Sequence, residues 1–186
     1  MAQDTPGYAF IVALIVVLLI VWVFWVIGQC LAVLLHETGH WVAARIMGKK
    51  NCGIVVGGLK HDVSAISSLR MIHFGTWPWN KGFTHYTPPP RTMSEVLWIA
   101  GSGPMVSGLL SVSGVILAWL HVLPITAWIV VAPLWLANVR VFAVSLWPGP
   151  LVADKHATDA PHPESDVHYI LQQIQQFRSR KRPENS

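Results

Sequence analysis

Hydrophobic positions dominate two long stretches of the chain. From Tyr8 to Leu35 every residue is apolar except Gly28 and Gln29, and no Asp, Glu, Lys or Arg falls between Asp4 and Glu37 or between Glu95 and Arg140. Each stretch exceeds the roughly 20 apolar residues that cross a bilayer, so the pattern predicts membrane helices. The first span is expected over about 8–47, where Gly48 supplies a stop and Lys49 and Lys50 suit a helix C-terminus. A helix of that length measures about 60 Å against a hydrocarbon core of about 30 Å, so it must tilt, project or kink, with Gly28 as the expected kink. A tight helical hairpin at Gly28 to Cys30 is the competing reading, disfavoured because those residues include no Pro, Asn or Asp. The second stretch divides at Leu123-Pro124 into spans of about 92–121 and 124–147, and Pro133 should kink the latter.

Between the first two spans the pattern changes. Gly53, Gly57, Gly58, Gly75 and Gly82 punctuate short runs such as GIVV and SLRMIHF, which read as strands within a β-rich loop over 49–91. Residues 148–164 read as a loop opening a tail over 148–186. From Ser165 the apolar residues Val167, Ile170, Leu171, Ile174 and Phe177 share one face of an amphipathic helix. The predicted fold is therefore a single domain over 1–186, an α-helical polytopic membrane protein with three transmembrane helices, strands after the first and a C-terminal amphipathic helix.

Composition agrees: of 186 residues 53% are hydrophobic and only 12% charged, far from an ordinary soluble domain. The net charge of +4 gives no case for a nucleic-acid partner, because Lys and Arg are distributed as membrane orientation requires. They concentrate between Arg45 and Arg91 and after the third span, while the turn near Leu123 and the first residues carry none. This places the N-terminus outside and the C-terminus, with the tail, in the cytoplasm. Cys30 and Cys52 are too few for a disulfide framework and read as structural thiols.

Chemistry enters with His36-Glu37-Thr38-Gly39-His40, an H-E-x-x-H motif at the inner end of the first span. Residues four apart share a helical face, so both imidazoles can reach one Zn²⁺ while Glu37 addresses a water on that metal. A Glu within an apolar helix is otherwise costly. Zinc requires a third protein ligand. Position 46, where some soluble zinc proteases place a third histidine, is Ile46, and Glu95 and Glu164 lie in no obvious ligand setting. Asp154, Asp159 and Asp166 remain. Ser165 is a good N-cap and would hold Asp166 at a defined helix end. Gly103, Ser107 and Ser111, four apart on the second span, form a small-residue stripe suited to packing against the motif helix. At about 1.5 Å per residue, His36 lies about 18 Å from Gly48 and Asn138 about 15 Å from Pro148, which predicts similar depth for the two. Arg140, near that depth, is a candidate for stabilising a substrate carbonyl or for snorkelling to the interface.

These residues resemble the site-2 protease family of intramembrane zinc metalloproteases, in particular its short members without a PDZ domain. HETGHWVAARIMG is similar to the family's zinc helix, the glycine-rich stretch 53–86 to its membrane-associated β-hairpin, and IAGSGPMVSGLL to its alanine-glycine-proline segment. Asn138 followed by SLWP resembles the paired asparagines and NLxP element, and Ser165-Asp166 the Ser-Asp-Gly that starts a late helix in short members. The chain departs from the pattern at Ser107 and Ser145, where Asn is frequent, and at Val167, where Gly is frequent.

The resemblance implies a zinc metalloendopeptidase that cleaves transmembrane segments of membrane proteins, as in regulated intramembrane proteolysis. One catalytic Zn²⁺ would be held by His36, His40 and Asp166, with Glu37 catalytic and Asn138 binding substrate. It further implies a transmembrane protein substrate as partner, in a lipid bilayer that is bacterial plasma membrane. Two alternatives stand: a proteolytically inactive zinc-binding scaffold or regulator, and a channel or transporter lined by His36, His40, Asn138 and Arg140. A strand within 53–74 is a candidate edge to which an unwound substrate segment could add.

Overall fold

The computed structural model of the protein describes residues 6–57, 72–74, 82–148 and 165–180. Helix α1 (Pro6–Ile46) runs 41 residues without a break, which removes the hairpin reading at Gly28. Gly28 serves close packing instead: a Cβ there would lie 3.0 Å from the Leu134 Cα of the third membrane helix. The helix ends as the sequence predicts. Gly48 takes φ 74°, and the amides of Gly48 and Lys49 donate back to the Arg45 and Ala44 carbonyls, a Schellman arrangement that satisfies the last turn.

The chain then turns back along α1. Strand β1 (Lys50–Val56) is buried from Cys52 onward, with Cys52 clustered on Ala43 and Ala44, and Ile54 and Val56 clustered with Val33. It is the central strand of a three-stranded sheet. Strand β2 (Ile72–Phe74) lies parallel on one side, with Ile54 opposite Ile72, and β3 (Gly82–Thr87) lies antiparallel on the other, with Ile54 opposite Thr84. The β1–β3 pair has the antiparallel sense of the expected hairpin, but the sheet gains a parallel strand and is mixed. Because β1 is flanked on both sides, a further strand would have to join β2 or β3. Residues 68–71 of the run SLRMIHF lie outside the described residues.

Helix α2 (Met93–Trp119) opens on Thr92, whose hydroxyl accepts from the Glu95 amide. A 3₁₀ turn (Ile125–Ala127) intervenes before α3 (Trp128–Ser145), which therefore starts later than the expected 124. The reason is local: the Pro124 carbonyl is taken by the Ala127 amide, closing a tighter turn first. Helix α4 (Asp166–Arg180) is capped by Ser165, whose hydroxyl accepts from the His168 amide and donates to the Trp147 carbonyl at the end of α3. Asp154, Asp159 and Glu164 lie outside the described residues.

Among the described residues three helical stretches, Gly7–Ile46, Met93–Trp119 and Ile125–Ser145, are long and apolar enough to cross a membrane. The small residues of α2 divide their work. Gly103 and Ser107 face α1, where a Cβ on Gly39 would come within 2.7 Å of the Ser102 carbonyl oxygen. Gly108 and Gly114 face Phe142 and Trp135 of α3, and the Trp135 indole donates to the Ser111 carbonyl at 2.8 Å. The helices thus approach closely enough to lock the HETGH turn against α2.

Candidate metal centre

His36 and His40 stand one turn apart on α1, and α2 grips both rings from behind. The His40 Nδ1–H donates to the Ile99 carbonyl at 2.6 Å. A carbonyl only accepts, so the neutral His40 ring keeps its lone pair on Nε2. Nδ1 of His36 lies 3.0 Å from the Ser107 hydroxyl, which itself is fully buried. Both Nε2 atoms consequently point the same way, 3.1 Å apart. Gly103 makes this possible, since a Cβ there would collide with His40 Nε2.

Asp166 reaches the pair from the first turn of α4. Its Oδ2 lies 3.0 Å from His36 Nε2 and its Oδ1 3.1 Å from His40 Nε2, with side-chain exposures of 7%, 9% and 19% for His36, His40 and Asp166. Two imidazole nitrogens and a carboxylate converging in a buried space are a donor set that could hold a cation. Their separations approach the roughly 3.3 Å expected between tetrahedral donors about 2.0–2.1 Å from zinc. The donor set, two imidazoles and one carboxylate, fits a zinc ion with a position left open.

Glu37 is buried beside this group, with its carboxylate turned to the sheet. Its Oε2 lies 2.8 Å from the Thr84 hydroxyl, which is also 3.0 Å from the Glu37 main-chain oxygen. A Cβ on Gly82 would come within 2.9 Å of the other carboxylate oxygen, Oε1.

His36, Glu37, His40 and Asp166 therefore meet, and Asn138 and Arg140 do not join them. Gly28 packs on Leu134 and Val33 clusters with Val141, so α1 and α3 run the same way. His36 is then level with about residue 143, and Asn138 sits about 8 Å back along α3 rather than at equal depth. The Asn138 amide donates to its own helix at the Leu134 carbonyl, 3.1 Å away, and its Oδ1 is buried without a partner among the described residues. Arg140 donates to the Gln29 side-chain oxygen at 2.6 Å. Glu95 is committed to Lys49, also at 2.6 Å. Two contacts escaped the sequence reading. The sequence presents Ser107 as a small packing residue and as a departure from the family pattern, not as a partner of His36, and nothing in it marks Thr84.

The sequence model of the Peptidase M50B-like family matches residues 8–148, most of the chain and the whole H-E-x-x-H helix. The chain belongs to this M50B-like branch of the site-2 proteases. M50 peptidases are zinc-dependent, and membership together with three apolar helices makes this M50B-like protein an integral membrane protein of a metalloprotease family. The family match ends at Pro148, so Asp166 and α4 of this M50B-like chain lie beyond it. No curated protein and no solved structure matches the chain.

Proposed function

We propose that the protein is a zinc-dependent intramembrane endopeptidase that hydrolyses peptide bonds within transmembrane segments of other membrane proteins. The observation that carries this reading is the convergence of His36 Nε2, His40 Nε2 and the Asp166 carboxylate beside a buried Glu37. His36, His40 and Asp166 would hold zinc, which when bound polarises a carbonyl and acidifies a water. Glu37 takes a proton from the attacking water onto its carboxylate and gives it to the leaving amine nitrogen, so one side chain serves as base and then acid. α2 keeps both imidazoles in the orientation that ligation needs, through the Ile99 carbonyl and the Ser107 hydroxyl.

A substrate helix hides its peptide groups in internal hydrogen bonds and must unwind before attack. Asn138, with a buried and unpartnered Oδ1, would accept from an N–H of the unwound segment. The basic loops face the cytoplasm, so the centre lies nearer that side. The Ser107 departure from the family pattern sits easily with activity, because its hydroxyl meets a proposed zinc ligand directly.

The test uses purified protein reconstituted in liposomes with a single-pass substrate. Glu37→Gln is expected to retain zinc and lose cleavage. Undiminished cleavage by that variant rejects the reading, and a parent chain that binds zinc without cutting any substrate supports the regulatory scaffold instead.

A further inference from the structure

We propose that Thr84 is a positioning residue for the Glu37 carboxylate, with Gly82 supplying the clearance that lets the carboxylate lie against β3. The proposal rests on the reading of Glu37 as the proton carrier. A glutamate has three rotatable side-chain bonds, and an anionic oxygen close to a divalent cation is drawn into coordination, where it no longer serves as a base. Something must hold it off.

The Thr84 hydroxyl is the described group that does so: it lies 2.8 Å from Oε2 and 3.0 Å from the Glu37 main-chain oxygen, and its single hydrogen, given to the nearer Oε2, ties the side chain's far end to β3. With Oε2 engaged, Oε1 is the oxygen left for proton transfer. It lies over Gly82, where any Cβ would meet Val33 Cγ1 at 2.6 Å, Glu37 Cγ at 2.8 Å and Oε1 at 2.9 Å, all on the face of α1 turned to β3. Glycine and threonine two apart share one face of a strand, so a single face of β3 supplies both the clearance and the tether.

Register fixes which residue meets Glu37. Thr84 stands opposite Ile54 on the buried central strand, and a slip of one residue would offer Phe83 or His85 in its place. Neither side chain could reproduce a short hydroxyl donor. The role of β3 is therefore to present one hydroxyl at one depth, set by its pairing with β1.

The experiment compares the parent chain with Thr84→Val, which keeps shape and strand preference but removes the hydroxyl, and Thr84→Ser, which keeps the hydroxyl. Three quantities are read on each: zinc content, cleavage kinetics, and the infrared carboxyl band of Glu37, isolated by subtracting the spectrum of Glu37→Gln. Thr84→Val is expected to retain zinc, to lose on the order of 10- to 100-fold in kcat with KM little changed, and to shift the Glu37 band. Thr84→Ser is expected to restore both rate and band. Gly82→Ala, which leaves the hydroxyl in place, is a second probe and is expected to shift the same band by displacing Oε1. A band unmoved in both Thr84→Val and Gly82→Ala, or an unchanged kcat in Thr84→Val, overturns the proposal. A parent chain that does not cleave would count against the proton-carrier reading, and the band would still decide whether Thr84 holds the carboxylate.

Discussion

At the scale of single residues, the centre depends on atoms behind the imidazoles as much as on the rings themselves. The Ser107 hydroxyl and Ile99 carbonyl fix which nitrogen of each ring points inward. Ser107→Ala removes one of these partners while leaving the helix contact open, and is expected to weaken zinc binding by on the order of 10- to 100-fold, measured by competition with a metal chelator. The His36–Glu37–His40 spacing was legible because a helical turn is local and its geometry is known before any fold is. Ser107 and Thr84 were not, because they come from 71 and 47 residues away, and only tertiary packing brings them in. A serine in a stripe of small residues carries no mark that separates a hydrogen-bonding role from a space-saving one.

At the scale of elements, close approach of α1 and α2 is the condition for everything else. Gly39→Ala would force its new methyl against the Ser102 carbonyl, a backbone atom that cannot swing away. The expected cost is about 1–3 kcal/mol, read as a lower midpoint in denaturant titrations of the detergent-solubilised protein. On β3, His85 has both ring nitrogens buried without a partner among the described residues, and burial holds its imidazole below the usual range. A folded-state pKa below the unfolded value of about 6.5 means that the unfolded chain binds the extra proton. The neutral ring's contribution is full above that value and is lost as pH falls through the folded one. Acidification from about pH 7 to about pH 5 should lower the melting temperature, and His85→Leu should lessen the drop in parallel melts. Ends of elements were readable, as Gly48 and Ser165 demonstrate, because caps are written in adjacent residues. The parallel pairing of β2 with β1 was not, since strand neighbours are chosen by burial and not by sequence order.

At the scale of the whole molecule, the three apolar helices carry two of the converging ligand atoms and α4 carries the third. Asp166 to the imidazoles, Ser165 to Trp147, and Tyr169 to Tyr86 tie α4 to α1, α3 and β3. Burial first, and then Tyr169, push the Tyr86 phenol well above its ordinary value, so that link stays protonated throughout the neutral range. Zinc should therefore act as a clasp on α4. Chelation is expected to speed amide hydrogen exchange over Asp166–Arg180 more than over α2 and α3, and Asp166→Ala should make exchange there insensitive to metal, by mass spectrometry. The sequence left three aspartates as candidates because a loop rich in proline gives no rule for where its side chains fall. Asp166 alone had a helix cap beside it to fix its place. Since that carboxylate follows all three spans in the chain, a growing polypeptide already threaded into lipid lacks it until translation has passed α3. Under the proposed function, the three donor groups could come together only after α4 has left the ribosome, which would spare neighbouring proteins at the insertion site.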